Sequence, residues 1–406
     1  MVYNHTFLVV IVALAFFASP SAAFTPSSRL SSTAANTPKS SLFMSTALIV
    51  QNKGGGHGEL GFQLAKKLHD NSKITSITIL QDAACKDDKE PFKSYSTDIP
   101  YAKIIKASLG DESMTAESLQ SILGEGASFD YVWDNASKGP VGSGKAICDL
   151  AKTWGTKLFT YVSSAGMYQP DGTFPMPETT KVKESAGQNQ FDNYAVELGL
   201  PLVSFRPQYI YGPKANKYDY IDWYFDRLVR NLPLPIPGDG KQKVSLTNSE
   251  DVASLLAAVL DNEEAAIEQR FFNCGTDELH TYDDVAYLCA EAAGMDKDAV
   301  MIEHYDSEMF GKATFPFRMT DFYVAPDTAK AKLGWKGPSH SLKDDLKWYF
   351  EGYKARGGPE KKMDLGLDWE IVVGSKTSFD IGSVYDKWDP LIIDTSDVQT
   401  LGGVDQ

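Results

Sequence analysis

Three glycines, Gly55, Gly58 and Gly61, stand three residues apart directly after a short apolar run, and this spacing could bind a phosphate group. Glycine is needed where a chain turns tightly or approaches a pyrophosphate, and a helix that follows offers free N–H groups and the positive end of its dipole. Asp82 comes about 20 residues after the last glycine, where a carboxylate can bind ribose hydroxyls. We therefore expect a nucleotide-binding turn, with a plain surface turn as the alternative for Asp82.

The segments around these glycines alternate between strand and helix patterns. Leu60, Leu64 and Leu68 recur every four residues and predict a helix, and a second helix is predicted over 145–154. Short apolar or β-branched runs predict six strands, at 47–50, 74–80, 102–105, 131–133, 158–162 and 202–205. Such alternation is typical of an α/β fold, here a Rossmann-like doubly wound parallel sheet with a smaller C-terminal α/β cap.

Changes in composition divide the chain into four parts, of which the first, residues 1–44, is described below. Residues 46–213 carry the strand–helix alternation of an NAD(P)-binding domain. Residues 214–355 have proline-rich turns and two strong helix patterns at 251–260 and 282–293, and we expect a smaller cap interleaved with the sheet. Residues 358–406 hold four lysines and ten acids, a net charge of −6, and predict an acidic tail with at most short strands.

Length and charge limit the classes of protein. The chain has 406 residues, 43% of them hydrophobic, and only four cysteines, which excludes a disordered chain and a disulfide-stapled miniprotein. The 39 Lys and Arg against 54 Asp and Glu leave a net charge of −15, which argues against nucleic-acid binding through the overall field. That argument applies only to the net charge of the whole chain, because residues 201–243 carry seven basic and four acidic side chains, a local net charge of +3.

The first 44 residues predict a targeting segment. A 12-residue apolar run at 7–18 is too short for a membrane span and is followed by small residues, as in a secretory signal peptide. The next residues are rich in Ser, Thr, Ala and Pro without acids, as in a transit peptide. The two in series resemble the bipartite presequence of algae with secondary plastids, and a plain secreted protein is the alternative. No other stretch is apolar enough to cross a membrane.

Further motifs resemble the extended or atypical short-chain dehydrogenase/reductase superfamily, in its epimerase/dehydratase-like branch. Ser163-Ser164-Ala165 follows the fifth strand, and the run from Arg206 to Pro213 (RPQYIYGP) matches a long family motif. Gly110-Asp111 resembles the family turn that borders adenine. The resemblance implies NAD or NADP as cofactor, held by Gly55, Gly58, Gly61, Asp82 and Asp111.

The resemblance also exposes an absence. Working members pair a tyrosine with a lysine four residues later, because the ammonium lowers the phenol pKa from near 10. Ser164 stands where the family's strand-five hydroxyl belongs, but alignment puts Glu184 at the tyrosine position and Gln188 at the lysine position. Ordinary hydride-transfer chemistry is therefore not expected, unless Tyr168 or Glu184 serves as an altered proton donor.

A closer resemblance covers nearly the whole chain from 46 to 355. The Gly-Gly-His turn at 55–57 and the Trp-Tyr-Phe-Asp-Arg run at 223–227 are not general superfamily features, and with them the chain resembles the chloroplast stem-loop-binding proteins. Other matching segments lie at 129–135, 162–168, 204–209, 235–238, 272–274, 322–323 and 333–335. The resemblance implies plastid RNA binding, an endoribonuclease activity and a missing Tyr-Lys pair.

RNA binding needs cations for phosphates and aromatic faces for unpaired bases. Both occur together in the net-positive segment 201–243. We take as candidate contact residues Arg206, Lys214, Lys217, Trp223, Arg227 and Arg230. The alternative is that these aromatics form the buried side of a cap helix and the arginines are simply solvated.

RNA cleavage would need a general acid and base or a carboxylate-bound metal. The catalytic candidates are Ser164, Glu184, His57 and Asp134, and the candidate Mg²⁺ ligands are Asp134, Asp219 and Asp222. Oxygen-ligand sites have no strong sequence signature, so an ordinary surface acid is the alternative for each carboxylate. The cysteines show no zinc spacing.

Three functions stay open at this point. The first is a plastid stromal RNA-binding protein on a degenerate dehydrogenase fold, with plastid RNA, ribosomal or transcription-associated complexes and homo- or hetero-oligomers as partners, and Mg²⁺ as a cofactor for weak cleavage. The second is an NAD(P)-dependent sugar-nucleotide epimerase or reductase with altered catalytic residues. The third is a non-catalytic plastid scaffold.

Overall fold

The computed structural model describes residues 45–52, 55–215, 218–308 and 316–374. The predicted presequence at 1–44 and residues 375–406 of the predicted tail lie outside them. Thirteen strands are described: β1 (Ser45–Gln51), β2 (Ile74–Asp82), β3 (Lys103–Ala107), β4 (Tyr131–Asn135), β5 (Leu158–Val162), β6 (Leu202–Pro207), β7 (Tyr209–Tyr211), β8 (Leu234–Pro237), β9 (Lys243–Val244), β10 (Leu246–Asn248), β11 (Phe271–Cys274), β12 (His280–Thr281) and β13 (Ile302–Tyr305).

Helices separate most of these strands. The twelve in the described ranges are α1 (Gly55–His69), α2 (Tyr95–Asp98), α3 (Ala116–Leu123), α4 (Gly142–Trp154), α5 (Gly187–Glu197), α6 (Asp219–Leu228), α7 (Ser249–Ala257), α8 (Glu263–Gln269), α9 (Tyr282–Ala292), α10 (Asp327–Leu333), α11 (Leu342–Ala355) and α12 (Gly366–Gly374).

Seven strands form one parallel sheet in the order β11-β6-β5-β4-β1-β2-β3. The six strands predicted from the sequence are all present, and the predicted α/β class is confirmed. The seventh strand, β11, returns to the sheet after the chain has passed through β7–β10. The strand order reverses between β1 and β4, which in open α/β sheets is the point where ligands bind.

The apolar periodicity of α1 explains how it covers the sheet. Leu60, Leu64 and Leu68 are all buried, and the helix packs between the sheet and α7. On β4, Trp133 is fully buried and its indole N–H donates to the Leu256 carbonyl at 3.1 Å. Burial of these side chains is what holds the first turn of α1 against the carboxyl end of β1.

The cap is built from short strand pairs and three helices. β7 pairs with β10, β8 with β13 and β9 with β12, and α6, α9 and α11 share one cluster of buried aromatic and aliphatic side chains. The sequence predicted at most short strands beyond residue 358, but α12 is a helix, and its Val372 packs with Leu365 and Leu232. Among the described residues, no helix has both the length and the apolar content to span a bilayer.

Candidate functional site

The glycine turn sits at the carboxyl end of β1, as predicted. A Cβ on Gly61 would lie 2.7 Å from Gln51 Cδ and 3.1 Å from Ile49 Cγ2, so only hydrogen fits between helix and strand. The Gln51 amide also donates to the Gly58 carbonyl. The third glycine therefore has the helix–strand packing role that such turns require.

A layer of side-chain amides forms the floor of the crevice between β1 and β4. Asn135 Nδ2 donates to Gln51 Oε1 at 2.6 Å, and Asn52 Nδ2 donates to the Asn135 carbonyl at 3.2 Å. Gln81, at the end of β2, donates to the Gln51 carbonyl at 3.3 Å and accepts from the Tyr95 hydroxyl at 3.0 Å. This layer was not predicted from the sequence, although an amide residue is the last or next-to-last residue of each of the strands β1, β2 and β4.

Glu59 is a second feature that sequence analysis missed. It lies inside the glycine turn, is fully buried, and its Oε1 accepts from Gln63 Nε2 at 2.8 Å and from the Lys214 backbone N–H at 3.0 Å. A Cβ on Gly212 would come within 2.6 Å of the carboxyl carbon. Burial is the main cause that raises the pKa of Glu59 to about 7. The sequence feature that could have revealed Glu59 is an acid between two turn glycines, on the side of α1 that faces the protein interior.

Asp82 and Asp111, the two acids predicted to border the adenosine end of a nucleotide, lie at or after the ends of neighbouring strands of the sheet. Asp82 ends β2 and is 9% exposed, and its Oδ1 accepts from the Ala84 N–H at 2.9 Å. Asp111 is exposed, and hydrogen bonds from Ser113 lower the pKa of its carboxyl group. A Cβ on Gly142 would lie 2.8 Å from Glu112 Cα, so this turn packs against the start of α4. These positions, with the glycine turn, fit the phosphate and ribose of a nucleotide.

The positions for proton transfer do not hold the required groups. Ser164 Oγ accepts from the Gly166 N–H at 3.0 Å. Glu184, which sequence analysis aligned on a helix, is instead exposed in the turn before α5, and Gln188 lies in the first helical turn. The first residue of the helix, Gly187, lies so close to the Lys138 backbone that a side chain would not fit there. Neither a phenol nor an ammonium stands at these two positions.

Tyr168 is not available as an altered proton donor. It is 1% exposed, its hydroxyl donates to Asn273 Oδ1 at 2.8 Å, and it accepts from Arg206 Nη1 at 3.0 Å. Burial outweighs the neighbouring guanidinium and raises the pKa of Tyr168 to about 12. The phenol is thus a structural group that links β5, β6 and β11, and the expectation that it replaces the missing acid is corrected.

Apolar side chains cover the segment after β5. We call this cluster the filled cleft, and it consists of Ala165, Tyr168, Phe174, Met176, Val182, Phe322 and Val324. Two hydrogen bonds to backbone carbonyls stabilise it. Gln208 Nε2 donates to the Phe322 carbonyl at 2.8 Å, and the Met176 N–H donates to the Tyr323 carbonyl at 2.9 Å. Two parts of the chain that are distant in sequence, 165–182 and 322–324, therefore pack together in the segment that follows Ser164.

The three candidate RNA-binding arginines hold the fold together. Arg206 is 4% exposed, lies 3.8 Å from Asp192 and donates to the Glu178 carbonyl at 3.1 Å. Arg227, also 4% exposed, pairs with Asp368 at 2.5 Å. Arg230 donates to three carbonyls at the end of the cap, those of Gly358, Pro359 and Lys361. The expectation that these side chains contact RNA is corrected, because all three are largely buried and each is paired with a carboxylate inside the protein.

The other residues predicted to contact RNA are Lys214, Trp223 and Lys217. Lys214 is half-buried, and its ammonium donates to Ser94 Oγ at 2.7 Å and lies 3.3 Å from Asp98. Trp223 is half-buried, with Arg227 stacked 3.8 Å above its ring and Phe317 at its edge. It belongs to the cap core, as the alternative interpretation predicted. Lys217 lies outside the described residues.

The predicted catalytic and metal-binding acids have structural roles as well. Asp134 is fully buried and accepts from the N–H groups of Ala136 and Ser137 and from Ser137 Oγ, and burial raises its pKa. Asp222 accepts from the Tyr349 hydroxyl and Arg356, and burial raises its pKa to about 6.

No metal-binding cluster joins the predicted ligands. Asp219, at the start of α6, also has an interaction within the protein. No group of three or more His, Cys, Asp or Glu side chains within the described ranges could hold a metal ion. The side chain of His57 lies outside the described residues. The predicted Mg²⁺ site therefore has no support in this part of the chain.

Comparisons with known proteins agree with this architecture. The NAD dependent epimerase/dehydratase family profile matches residues 54–275, more than half of the chain. The dTDP-glucose 4,6-dehydratase of Bacillus anthracis, solved with NAD, has a TM-score of 0.60 at 16% identity over 76% of this chain and 98% of its own. The UDP-glucose 4-epimerase of Thermotoga maritima has a TM-score of 0.57 at 20% identity, over 77% of this chain and 99% of its own.

Among curated proteins, the chain is 32% identical over 224 residues to the chloroplast stem-loop binding protein of 41 kDa b of Arabidopsis thaliana. This match covers 54% of the present chain and 57% of the relative, so the chain spans just over half the length of that protein. The resemblance found in the motifs is thereby confirmed at the level of sequence identity. On the family profile and the sheet order together, the chain belongs to the NAD dependent epimerase/dehydratase family.

Proposed function

We propose that this protein binds structured RNA in a plastid, on a dehydrogenase fold that no longer carries dehydrogenase chemistry. One observation carries the proposal. The segment after β5 has no tyrosine–lysine pair for proton transfer, and the apolar side chains of the filled cleft pack onto it. Without the phenol–ammonium pair, the site lacks the groups that move the proton in ordinary dehydrogenase chemistry. The similarity to a chloroplast stem-loop binding protein supports RNA as the ligand.

Equilibrium binding to a stem-loop RNA tests this proposal. The experiment compares a stem-loop, an unstructured RNA of the same composition and a duplex DNA, each between 50 and about 200 mM salt. We expect the stem-loop to bind best and its affinity to fall with salt, because lysine contacts release counterions. Absence of stem-loop binding at about 50 mM salt, or equal affinity for the duplex DNA, would overturn the proposal.

Location and partners follow from the same proposal. The apolar run and the Ser- and Thr-rich stretch of residues 1–44 support import into the plastid stroma of an alga with a secondary plastid. Plastid transcripts, bound alone or within ribosomal or transcription-associated complexes, are the proposed partners, and the protein is proposed to act as an oligomer. Affinity purification with and without ribonuclease separates RNA-bridged partners from direct ones.

Weak RNA cleavage is the least supported part of the proposal. Cleavage that persists at constant specific activity through repurification, and that EDTA removes and Mg²⁺ restores, would support a metal-dependent endoribonuclease. Cleavage that separates from the protein on a second column would assign it to a contaminant. RNA binding is measured on the same fractions, so the two activities are judged independently.

A second candidate is dinucleotide binding by an altered epimerase or reductase. The glycine turn and the placement of Asp82 favour it, because they fit the adenosine end of NAD or NADP. Calorimetric titration with NAD⁺ and NADPH, using Asp82→Ala against the exposed control Asp87→Ala, tests this. Binding lost only in Asp82→Ala, followed by turnover of a nucleotide sugar, would favour the enzyme; binding without turnover would leave a cofactor-binding, non-catalytic protein.

A further inference from the structure

Four positively charged side chains lie on segments that border the filled cleft. Lys181, Lys183 and Lys243 are exposed and Arg318 is half-buried, and each belongs to a segment that packs into the cleft or hydrogen-bonds to it. We propose that this basic rim, consisting of Lys181, Lys183, Lys243 and Arg318, is the surface that contacts RNA phosphates. The inference rests on the proposed RNA binding and gives it a location.

The extended backbone of 181–183 directs two lysines outward. Val182 pairs with Tyr168 in an antiparallel bridge and packs into the filled cleft. The Lys183 N–H donates to the Met167 carbonyl at 2.8 Å, and the Lys181 carbonyl accepts from the Gln169 N–H at 2.8 Å. Because side chains alternate along an extended strand, Lys181 and Lys183 share the face opposite Val182. Both are exposed there.

A separate part of the chain contributes the other two cations. Val244 forms a bridge with Phe322, and the Phe322 N–H donates to the Lys243 carbonyl at 3.2 Å. The Arg318 guanidinium lies 3.7 Å above the Phe322 ring. Phe322 thus joins both cap cations to the same apolar cluster that carries Lys181 and Lys183. Cation-bearing segments from two separate parts of the chain therefore contact the same apolar cluster.

These cations differ from the three arginines predicted from the sequence. Arg206, Arg227 and Arg230 each pair with a carboxylate inside the protein. Within the described ranges, no rim side chain forms a direct ion pair with a carboxylate. A cation that keeps its hydration and charge at the surface can release counterions from RNA.

The surroundings of the rim favour unpaired nucleotides over a duplex. Phe174 is half-buried, stacks on Tyr323 at 5.4 Å between ring centroids and packs in the same cluster as Val182, which lies between two of the lysines. Unpaired bases stack on such rings, whereas paired bases are not accessible to them. Three carboxylates reduce the local charge: Asp171 and Glu184 are exposed, and Asp321 accepts from the Lys243 N–H. We therefore expect loop-directed, moderate and salt-sensitive binding.

A pair of matched triple variants tests the location. Lys181→Ala/Lys183→Ala/Lys243→Ala removes three rim charges, and Lys67→Ala/Lys103→Ala/Lys152→Ala removes three exposed charges on α1, β3 and α4, elements that do not contribute to the filled cleft. Net charge is the same in both variants. We expect the rim variant to lose about tenfold or more in stem-loop affinity and about 2 units of salt slope, and the control to bind like wild type.

A gain of affinity gives a readout that misfolding cannot mimic. Glu184→Gln removes an exposed carboxylate beside Lys183, and we expect it to tighten stem-loop binding several-fold at low salt. If wild type binds RNA but the two triple variants bind alike and Glu184→Gln has no effect, the rim assignment is wrong and RNA binding stands. If wild type does not bind RNA, the function itself fails.

Discussion

The buried carboxylate of Glu59 accepts a hydrogen bond from the backbone N–H of Lys214 at 3.0 Å. This contact joins the first turn of α1, where a nucleotide phosphate would bind, to the loop that leads into cap helix α6. Ser249, at the start of α7, also lies within reach of the carboxylate. The nucleotide turn and the cap are therefore connected through one ionisable side chain.

The first prediction concerns the pH dependence of stability. Burial raises the pKa of Glu59 from 4.5 to about 7, so the folded state favours the neutral acid, and the stability it contributes is lost as pH rises through 7. Glu59→Gln keeps the hydrogen-bond acceptor without the charge. We expect this variant to be more stable than wild type by about 3 kcal/mol at pH 8 and equal to it near pH 4.5.

Calorimetric melting between pH 4.5 and 8.5 measures this difference. Glu184→Gln serves as the control, because its carboxylate is exposed and its removal should leave the pH profile unchanged. Parallel melting curves for wild type and Glu59→Gln across the whole range would show that Glu59 does not titrate in the folded protein.

The second prediction concerns the hydrogen-bond chain between Arg206, Tyr168 and Asn273. Tyr168→Phe removes one donor and one acceptor from buried partners, and we expect a loss of about 1–2 kcal/mol in the free energy of unfolding. Arg206→Met leaves Asp192 buried without its cation, and a loss of about 3–5 kcal/mol is expected.

Urea denaturation of the two single variants and the double variant gives their coupling energy. We expect the losses to be non-additive, because the residues share one hydrogen bond. Stem-loop affinity per folded molecule should remain that of wild type in Tyr168→Phe. Loss of RNA binding in a Tyr168→Phe protein that folds normally would show that this cluster is part of the RNA-binding surface.

The third prediction concerns the packing of the glycine turn. In Gly61→Ala the new methyl group would lie 2.7 Å from Gln51 Cδ, so Gln51 must move and its hydrogen bond from Asn135 is strained or lost. We expect a loss of about 1–3 kcal/mol in the free energy of unfolding. Gly126→Ala is the control, because no atom lies within 4 Å of the added carbon. Equal stability of the two variants would contradict the close packing of α1 on β1.

The fourth prediction concerns the attachment of α12. Arg227 pairs with Asp368 at 2.5 Å, and both side chains are largely buried. Arg227→Met should destabilise the cap by about 3 kcal/mol or more and accelerate protease cleavage between residues 359 and 374. Lys354→Ala breaks the exposed pair with Glu351 and should change stability by less than about 1 kcal/mol. Unchanged cleavage in Arg227→Met would show that α12 is held by other contacts.

Local pattern was sufficient for most of the fold. The glycine turn, the six strand runs and the leucine face of α1 were all predicted from residues close together in the sequence, where turn chemistry and side-chain periodicity act. The absence of the tyrosine–lysine pair was likewise visible, because it depends only on residue identity. The position of Glu184 in the turn before α5 was not visible in residue identity, because it depends on where the helix begins in the folded chain.

The candidate site was predicted less well. Arg206, Arg227 and Arg230 have the composition of an RNA-binding surface, but Arg227 meets Asp368 across 141 residues of sequence. Lys181 and Lys183 lie outside the net-positive segment 201–243 and Lys243 lies at its end, and only the packing of Val182 and Phe322 brings the three segments to one cluster. A charge count cannot distinguish a paired cation from a free one.

The sequence by itself determined the fold class, the nucleotide-type turn and the loss of the proton-transferring pair. Those properties depend on residue type, backbone preference and short-range periodicity, which are present in any conformation of the chain. Only the tertiary structure decided which charges are buried, which are paired and which lie on segments that border the filled cleft. The physical reason is that burial and ion pairing depend on neighbours brought together by folding, and these set both the pKa of Glu59 and the positions of the basic rim.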